Sequence, residues 1–159
     1  MAAWKKAAAM TLSAVLLLQP MTASAVTWGN IVNGLRNSGT NRYTEDGTTI
    51  EKDGDNYTVT GGTIENNVIL DKNYFDGLTI SFKGITVDGR IIFDGKDGNT
   101  YAIETDANTK VRYVVVNAEN GTHVKVTNKG IVEDRMYGTA SGENSRLEFI
   151  NEGTSASMV

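Results

Sequence analysis

The sequence predicts an all-β chain folded as a right-handed parallel β-helix, and three observations carry that prediction. Positions 61, 84, 107, 130 and 153 read Gly61, Gly84, Ala107, Gly130 and Gly153, a column with a constant step of 23 residues. Four residues ahead of it stands an apolar column, Tyr57, Ile80, Ile103, Val126 and Phe149. Behind it come the triplets Val68-Ile69-Leu70, Ile91-Ile92-Phe93 and Val114-Val115-Val116, closed by Asp71, Asp94 and Asn117. Self-similarity at one fixed step is the mark of a solenoid, in which each repeat buries its apolar face against its neighbours. A sandwich also spaces short strands at intervals of about 8–12 residues, but has no reason to hold several columns in register. A left-handed helix of six-residue units would step by 18, and no six-residue pattern is present.

The chain opens with a stretch that stands apart from the fold. Met1 to Ala25 carries Lys5 and Lys6, an apolar run from Ala7 to Leu18, and Ala23-Ser24-Ala25. A basic start, an apolar middle and small residues at the cleavage point are the three parts of a secretory signal peptide. The apolar run is short of the roughly 20 residues a bilayer span needs. Cleavage after Ala25 removes both lysines, leaving 13 basic against 19 acidic side chains, a net charge of −6. It also removes Pro20, the only proline, while all 17 glycines remain. A proline-free chain suits a fold in which nearly every backbone N–H donates to a neighbouring strand. The sequence has no cysteine, so an exported chain of this kind is held by packing and sheet hydrogen bonds rather than disulfides. An acidic balance excludes a nucleic-acid partner, which calls for clustered Lys and Arg.

Residues 26–52 are expected to cap the solenoid. Trp28, Ile31, Val32 and Leu35 are spaced i, i+3, i+4, i+7, one face of a helix, with Thr27 placed at its N-cap. The first coil of a solenoid exposes an apolar end that a helix of this kind can cover. Asn37 to Gly47 reads as polar and turn-rich, and Thr48 to Lys52 as a strand joining the first coil. Residues 53–159 then divide into rungs at 53–75, 76–98, 99–121, 122–144 and a partial 145–159. Each rung opens on a turn and continues with an alternating strand such as Leu78-Thr79-Ile80-Ser81-Phe82. Glycine turns the corner, since it accepts positive φ or close backbone approach at least cost, and Asn108 is expected to take the left-handed position beside Ala107. A short second strand follows (Ile85-Thr86-Val87, Ile131-Val132-Glu133), then the triplet as a third. The fourth rung has Tyr137-Gly138-Thr139 at the triplet position. The last rung reaches Gly153 and shows no clear second or third strand, nor a capping element. That predicts a rod cut off at its C-terminal side and open to end-to-end self-association through its strand edges.

No catalytic, cofactor-binding or metal-ligating set stands out. Asp71, Asp94 and Asn117 stack in one column, where carboxylates on a β-helix face can hold calcium. Asp and Asn are equally the residues of turns that bond their own backbone, and no calcium-loop spacing is present. His123 is the one histidine; its place beside a turn turns its side chain outward, and it has no oriented partner of the kind a base requires. The loops after the third strands, Lys72 to Phe75, Gly95 to Gly98, Ala118 to Gly121 and Asp134 to Asn144, should share one flank. Tyr74, Phe75, Met136 and Tyr137 on them would either stack on a sugar or partner or fold back over a rung edge.

The glycine column, the triplets and the leader together resemble the passenger region of bacterial autotransporters and related large adhesins, over Met1 to Gly153. The resemblance implies a secreted or cell-surface rod (or a periplasmic one) used for adhesion or as a stalk, the N-terminal part of a longer protein. It also implies glycans or host or matrix proteins as partners; with no catalytic set in view, the chain is not expected to be an enzyme. No membrane-spanning β-barrel follows in this chain. The alternative from the same superfold is a pectate-lyase-like polysaccharide lyase or hydrolase, for which Asp71, Asp94 and Arg90 would be the first candidates, provided they converge on a cleft.

Overall fold

A computed structural model describes residues 24–159. The expected signal peptide falls almost wholly on residues 1–23, outside those described. The rest is a parallel β-solenoid of about four turns with one short helix at its N-terminal end. Among the described residues no helix is long and apolar enough to cross a membrane.

Helix α1 (Trp28–Asn37) lies over the first rung. The Thr27 hydroxyl accepts from the Asn30 N–H at 3.2 Å, satisfying one of the donors a helix start leaves open. Trp28, Ile31, Val32 and Leu35 are buried together, as their spacing predicts. Just before the helix, Val26 bridges Ile64 in parallel.

Strands β1 (Arg42–Glu45), β2 (Thr48–Asp53) and β3 (Asn56–Thr60) form an antiparallel meander along the first coil. β1 occupies a stretch that reads as turn-rich. Its signal is Asp46-Gly47, both at positive φ (46° and 83°), the pair a tight hairpin turn requires.

From β3 onward all pairing is parallel. One sheet runs β1-β2-β3-β6-β8-β10-β12, using β6 (Thr79–Lys83), β8 (Thr100–Thr105), β10 (His123–Asn128) and β12 (Arg146–Asn151). Here the 23-residue step is exact: Tyr57, Ile80, Ile103, Val126 and Phe149 are successive partners. The other sheet joins β4 (Thr63–Ile64) and β5 (Val68–Leu70) to β7 (Thr86–Gly95), then β9 (Lys110–Glu119), β11 (Ile131–Ser141) and β13 (Thr154–Met158). From β7 to β11 the expected second and third strands are one long strand, bent where the register shifts between Val87 and Arg90. β12 and β13 show that the last rung has a second strand, which the Ser- and Thr-rich ending hides. β11 also absorbs most of the expected 134–144 loop.

In this second sheet the step is not constant. Thr86 pairs with Lys110, 24 residues on, and Lys110 with Ile131, only 21 on. The third corner, from Thr105 to Lys110, is two residues longer than the fourth, from Asn128 to Ile131, and over the two rungs the step falls one residue short of twice 23. Val114 therefore faces Met136, not Tyr137. The fourth triplet is Met136-Tyr137-Gly138, with Met136 fully buried. The apparent break in the repeat is a slip of one residue, not a lost strand.

The glycine column splits between the two uses of glycine. Gly61 and Gly84 have φ of 71° and 59°. Gly130 and Gly153 have ordinary φ but no room, since an added Cβ would lie 2.1 Å from the carbonyl oxygens of Thr109 and Gly130 respectively. In the Ala107 rung Asn108 is not left-handed. Asp106 closes that corner, its Oδ1 accepting from the N–H groups of Gly84 (2.9 Å) and Asn108 (3.1 Å) and from the Thr109 hydroxyl (2.7 Å).

The core fills the space between the sheets with one apolar layer per rung, including Ile80, Phe82, Ile91, Ile103, Val114, Val126 and Met136. Among the described residues Thr48, Thr105, Thr109, Thr122 and Asn128 are buried polar side chains, and Asn128 is the only amide among them. Asn128 accepts from the Thr105 hydroxyl (2.6 Å) and the Gly130 N–H (3.2 Å), and its amide donates to Asn151 Oδ1 (2.8 Å). This ladder ties three successive corners together, and a buried amide so fully partnered costs little to bury.

Candidate functional site

Where the triplet strands turn into the next rung, the chain lays side chains across one flank of the rod. A groove of about 270 Å³ opens there, lined by Asp71, Lys72, Phe75, Phe93, Asp94, Lys96, Asp97 and Tyr101 among others. Lys72, Phe75, Asp97 and Tyr101 also line a second hollow of about 480 Å³ beside it. The second is bounded further along by Asp55, Asp76 and Asn99.

Its apolar floor follows from the repeat. Phe93 is the third member of its triplet and points inward; Tyr101 is the first inward residue of β8, opposite Val124. Their rings meet at 4.7 Å between centroids. Phe75 is buried and meets Tyr57 edge-on at 5.2 Å. Of the aromatics expected at this flank, Phe75 thus folds back over its rung and Tyr74 sits near Gly29 of α1. Met136 is core, and Tyr137 lies on the outer face of the second sheet. Tyr101, the aromatic with a polar tip in the groove, escaped the sequence reading. Its signal is its place in the column Leu78, Tyr101, Val124, Leu147, whose other members are aliphatic.

The polar rim is held by local bonds. Tyr101 donates its hydroxyl to Asp97 Oδ2 at 2.5 Å, and Asn99 donates its backbone N–H and its side-chain amide to the same carboxylate at 3.1 and 3.0 Å. Burial pushes the Asp97 carboxyl up, but these donors outweigh it and hold it below the usual aspartate range. Burial and Asp97 together raise the Tyr101 phenol. At the far end Asp76 accepts from the Tyr57 hydroxyl and from Lys52 Nζ (3.0 Å), and the Tyr57 bond leads in lowering its pKa.

These carboxylates make a pH prediction. Asp76, Asp97 and Asp106 all have folded pKa values below the unfolded value of about 3.9, so the unfolded chain binds protons first as pH falls. Their stabilisation is complete above that value and is lost as pH drops through the lower folded ones. Thermal melts should be flat from about pH 7 to 5 and fall steadily below about pH 4. Asp97→Asn should shallow that fall.

The structure brings Asp71 and Asp94 to the same groove and places Arg90 elsewhere, on the bend of β7, its guanidinium 4.9 Å from the Tyr113 ring centroid. Asp71 Oδ1 accepts from the Asn73 N–H at 2.8 Å, a turn bonding its own backbone. Asp94 and Asn117 form a ladder: the Asn117 amide donates to Asp94 (2.7 Å) and the Thr139 hydroxyl donates to Asn117 (3.0 Å). Among the described residues no three or more His, Cys, Asp or Glu side chains gather as metal ligands would. His123 is exposed, its Nε2 2.8 Å from the Asn144 carbonyl oxygen. No family model, curated protein or solved structure matches the chain.

Proposed function

We propose that this chain is the folded part of an exported bacterial surface rod with a binding role, of the adhesin type, and that glycans are what it binds. The observation that carries this reading is the flank groove. It sets the half-buried Tyr101 ring, packed on buried Phe93, among hydroxyl-matching acceptors and donors at Asp71, Asp94, Asp97, Lys72 and Lys96. An apolar floor with a few convergent polar groups is the general form of a small-ligand site, and a sugar offers both an apolar ring face and a fringe of hydroxyls. The leader supports export, and the regular rod supports a role that holds a site away from a surface.

The test is a glycan array followed by calorimetry on the 26–159 chain. Wild type should bind a subset of neutral glycans, and Tyr101→Ala and Lys72→Ala should each weaken binding by about tenfold, the loss of one ring or charge contact of roughly 1–1.5 kcal/mol. Binding unchanged in both variants, or no glycan bound at millimolar concentration, would sink the reading.

The lyase or hydrolase alternative keeps one supporting observation, that Asp71 and Asp94 share the groove. It predicts release of new reducing ends from a bound polysaccharide. Binding without cleavage would leave the adhesin reading alone.

A further inference from the structure

The outward face of the second sheet carries three parallel rows of side chains. Strand pairing stacks Asn67, Arg90, Tyr113 and Arg135 in one, Ile69, Ile92, Val115 and Tyr137 in the next, and Asp71, Asp94, Asn117 and Thr139 in the third. Inward residues alternate with them: Ile91, Phe93, Val114, Val116 and Met136 are buried. The face thus has a basic and aromatic edge, an apolar ridge and an acidic and amide edge. Ile69 is 39% exposed, among the largest values for an aliphatic side chain here. Among the described residues neither Arg90 nor Arg135 has an ion-pair partner, whereas Arg112 beside them pairs with Asp134 at 3.3 Å.

We infer that this face docks on the same face of a second copy of the chain, the two rods lying side by side and pointing the same way. The charge pattern selects that arrangement. Sheets stack face to face at about 10 Å. A two-fold axis parallel to the rod reverses the strands but keeps each rung at its own height. Arg90 of one copy then meets Asp94 of the other, twice, while Tyr113 meets Asn117 and the Ile69–Tyr137 ridge meets itself. The other face-to-face two-fold, along the strands, lays the basic edge on the basic edge. The interface is isologous, as in most homodimers. Four rungs by three rows span roughly 20 Å by 15 Å, small beside the ~800 Å² a side of standard complexes. The dimer is therefore weak in solution and populated at high concentration, as when rods are crowded on one surface.

Sedimentation velocity on the 26–159 chain at low salt, from about 10 to 500 μM, should show a monomer–dimer equilibrium that salt weakens. Ile92→Lys should remove it. Arg90→Asp and Asp94→Arg should each be monomeric alone, since each sets like charges opposite one another. Mixed in equal amounts they should associate, because every facing pair is then opposite in charge. That mixing result also shows that both variants are folded. Wild type monomeric throughout, association that survives Ile92→Lys (as an end-to-end contact would), or single charge variants that associate as well as wild type would each overturn the proposal.

Discussion

Gly130→Ala should destabilise the fold by about 2–4 kcal/mol, a steric overpacking effect, and lower Tm by roughly 10 °C. The φ of Gly130 is not in the left-handed region that strains alanine, so the effect is assigned to collision. The new methyl carbon would stand 2.1 Å from the Thr109 carbonyl oxygen and 2.5 Å from that of Asp106. Neither can retreat. The Thr109 oxygen accepts from the Ile131 N–H at 2.9 Å, and the Asp106 oxygen accepts from the Thr109 N–H at 3.1 Å. Relief for the methyl means opening the pairing of two rungs. Gly84→Ala is the control from the same column: its added Cβ meets no atom within 4 Å, so the cost is left-handed strain alone, about 1–2 kcal/mol. Gly84→Val should cost more, through its β-branch. If the two alanine variants melt together, the division of the column into strain and contact positions is wrong.

That division marks the limit of what could be read from residues alone. A glycine column announces a corner, but φ-driven and contact-driven glycines look the same in one sequence. The first sheet was legible because its strands alternate and its step never changes; Ile80, Ile103 and Val126 stack where the spacing puts them. The second sheet was not, because the long Thr105–Lys110 corner and the short Asn128–Ile131 corner leave its pairing one residue short over two rungs, with no change in the first sheet's columns to mark it. The period survives while the pairing slips, and Met136 looks like a loop residue. In the groove, Asp71 and Asp94 stood out by their column, and the sequence could not say whether they converged or closed turns; they do some of each. Tyr101 and Asp97 were invisible as a pair, since their bond depends on how the loop folds back onto β8. The three rows of the outer face need the slip to be known before Tyr137 can be set beside Val115.

Trp28→Ala should have an effect as large, and it should be localised. Truncating a buried tryptophan costs roughly 3–5 kcal/mol through lost contacts and the cavity left behind. Trp28 is 2% exposed, and its indole N–H donates to the Ile69 carbonyl at 2.9 Å. Its backbone N–H donates to Asn66 Oδ1 at 3.0 Å. These bonds hold α1 on the first rung, whose Ile64, Val68 and Leu70 are fully buried in the same apolar cluster as Trp28. A solenoid's stability is the sum of rungs and their interfaces, and the first rung has a neighbouring rung on one side only. Losing the cap should release it first. Hydrogen exchange should show β3, β4 and β5 losing protection well before β8 to β11, with a drop in Tm of about 10 °C or more. Trp28→Phe keeps most of the ring and gives up the indole bond, so it should retain most of the stability, losing about 1–2 kcal/mol. Uniform loss of protection along the rod would mean that the cap and the rungs unfold as one unit, and wild-type stability in Trp28→Ala would mean that α1 is not a cap at all.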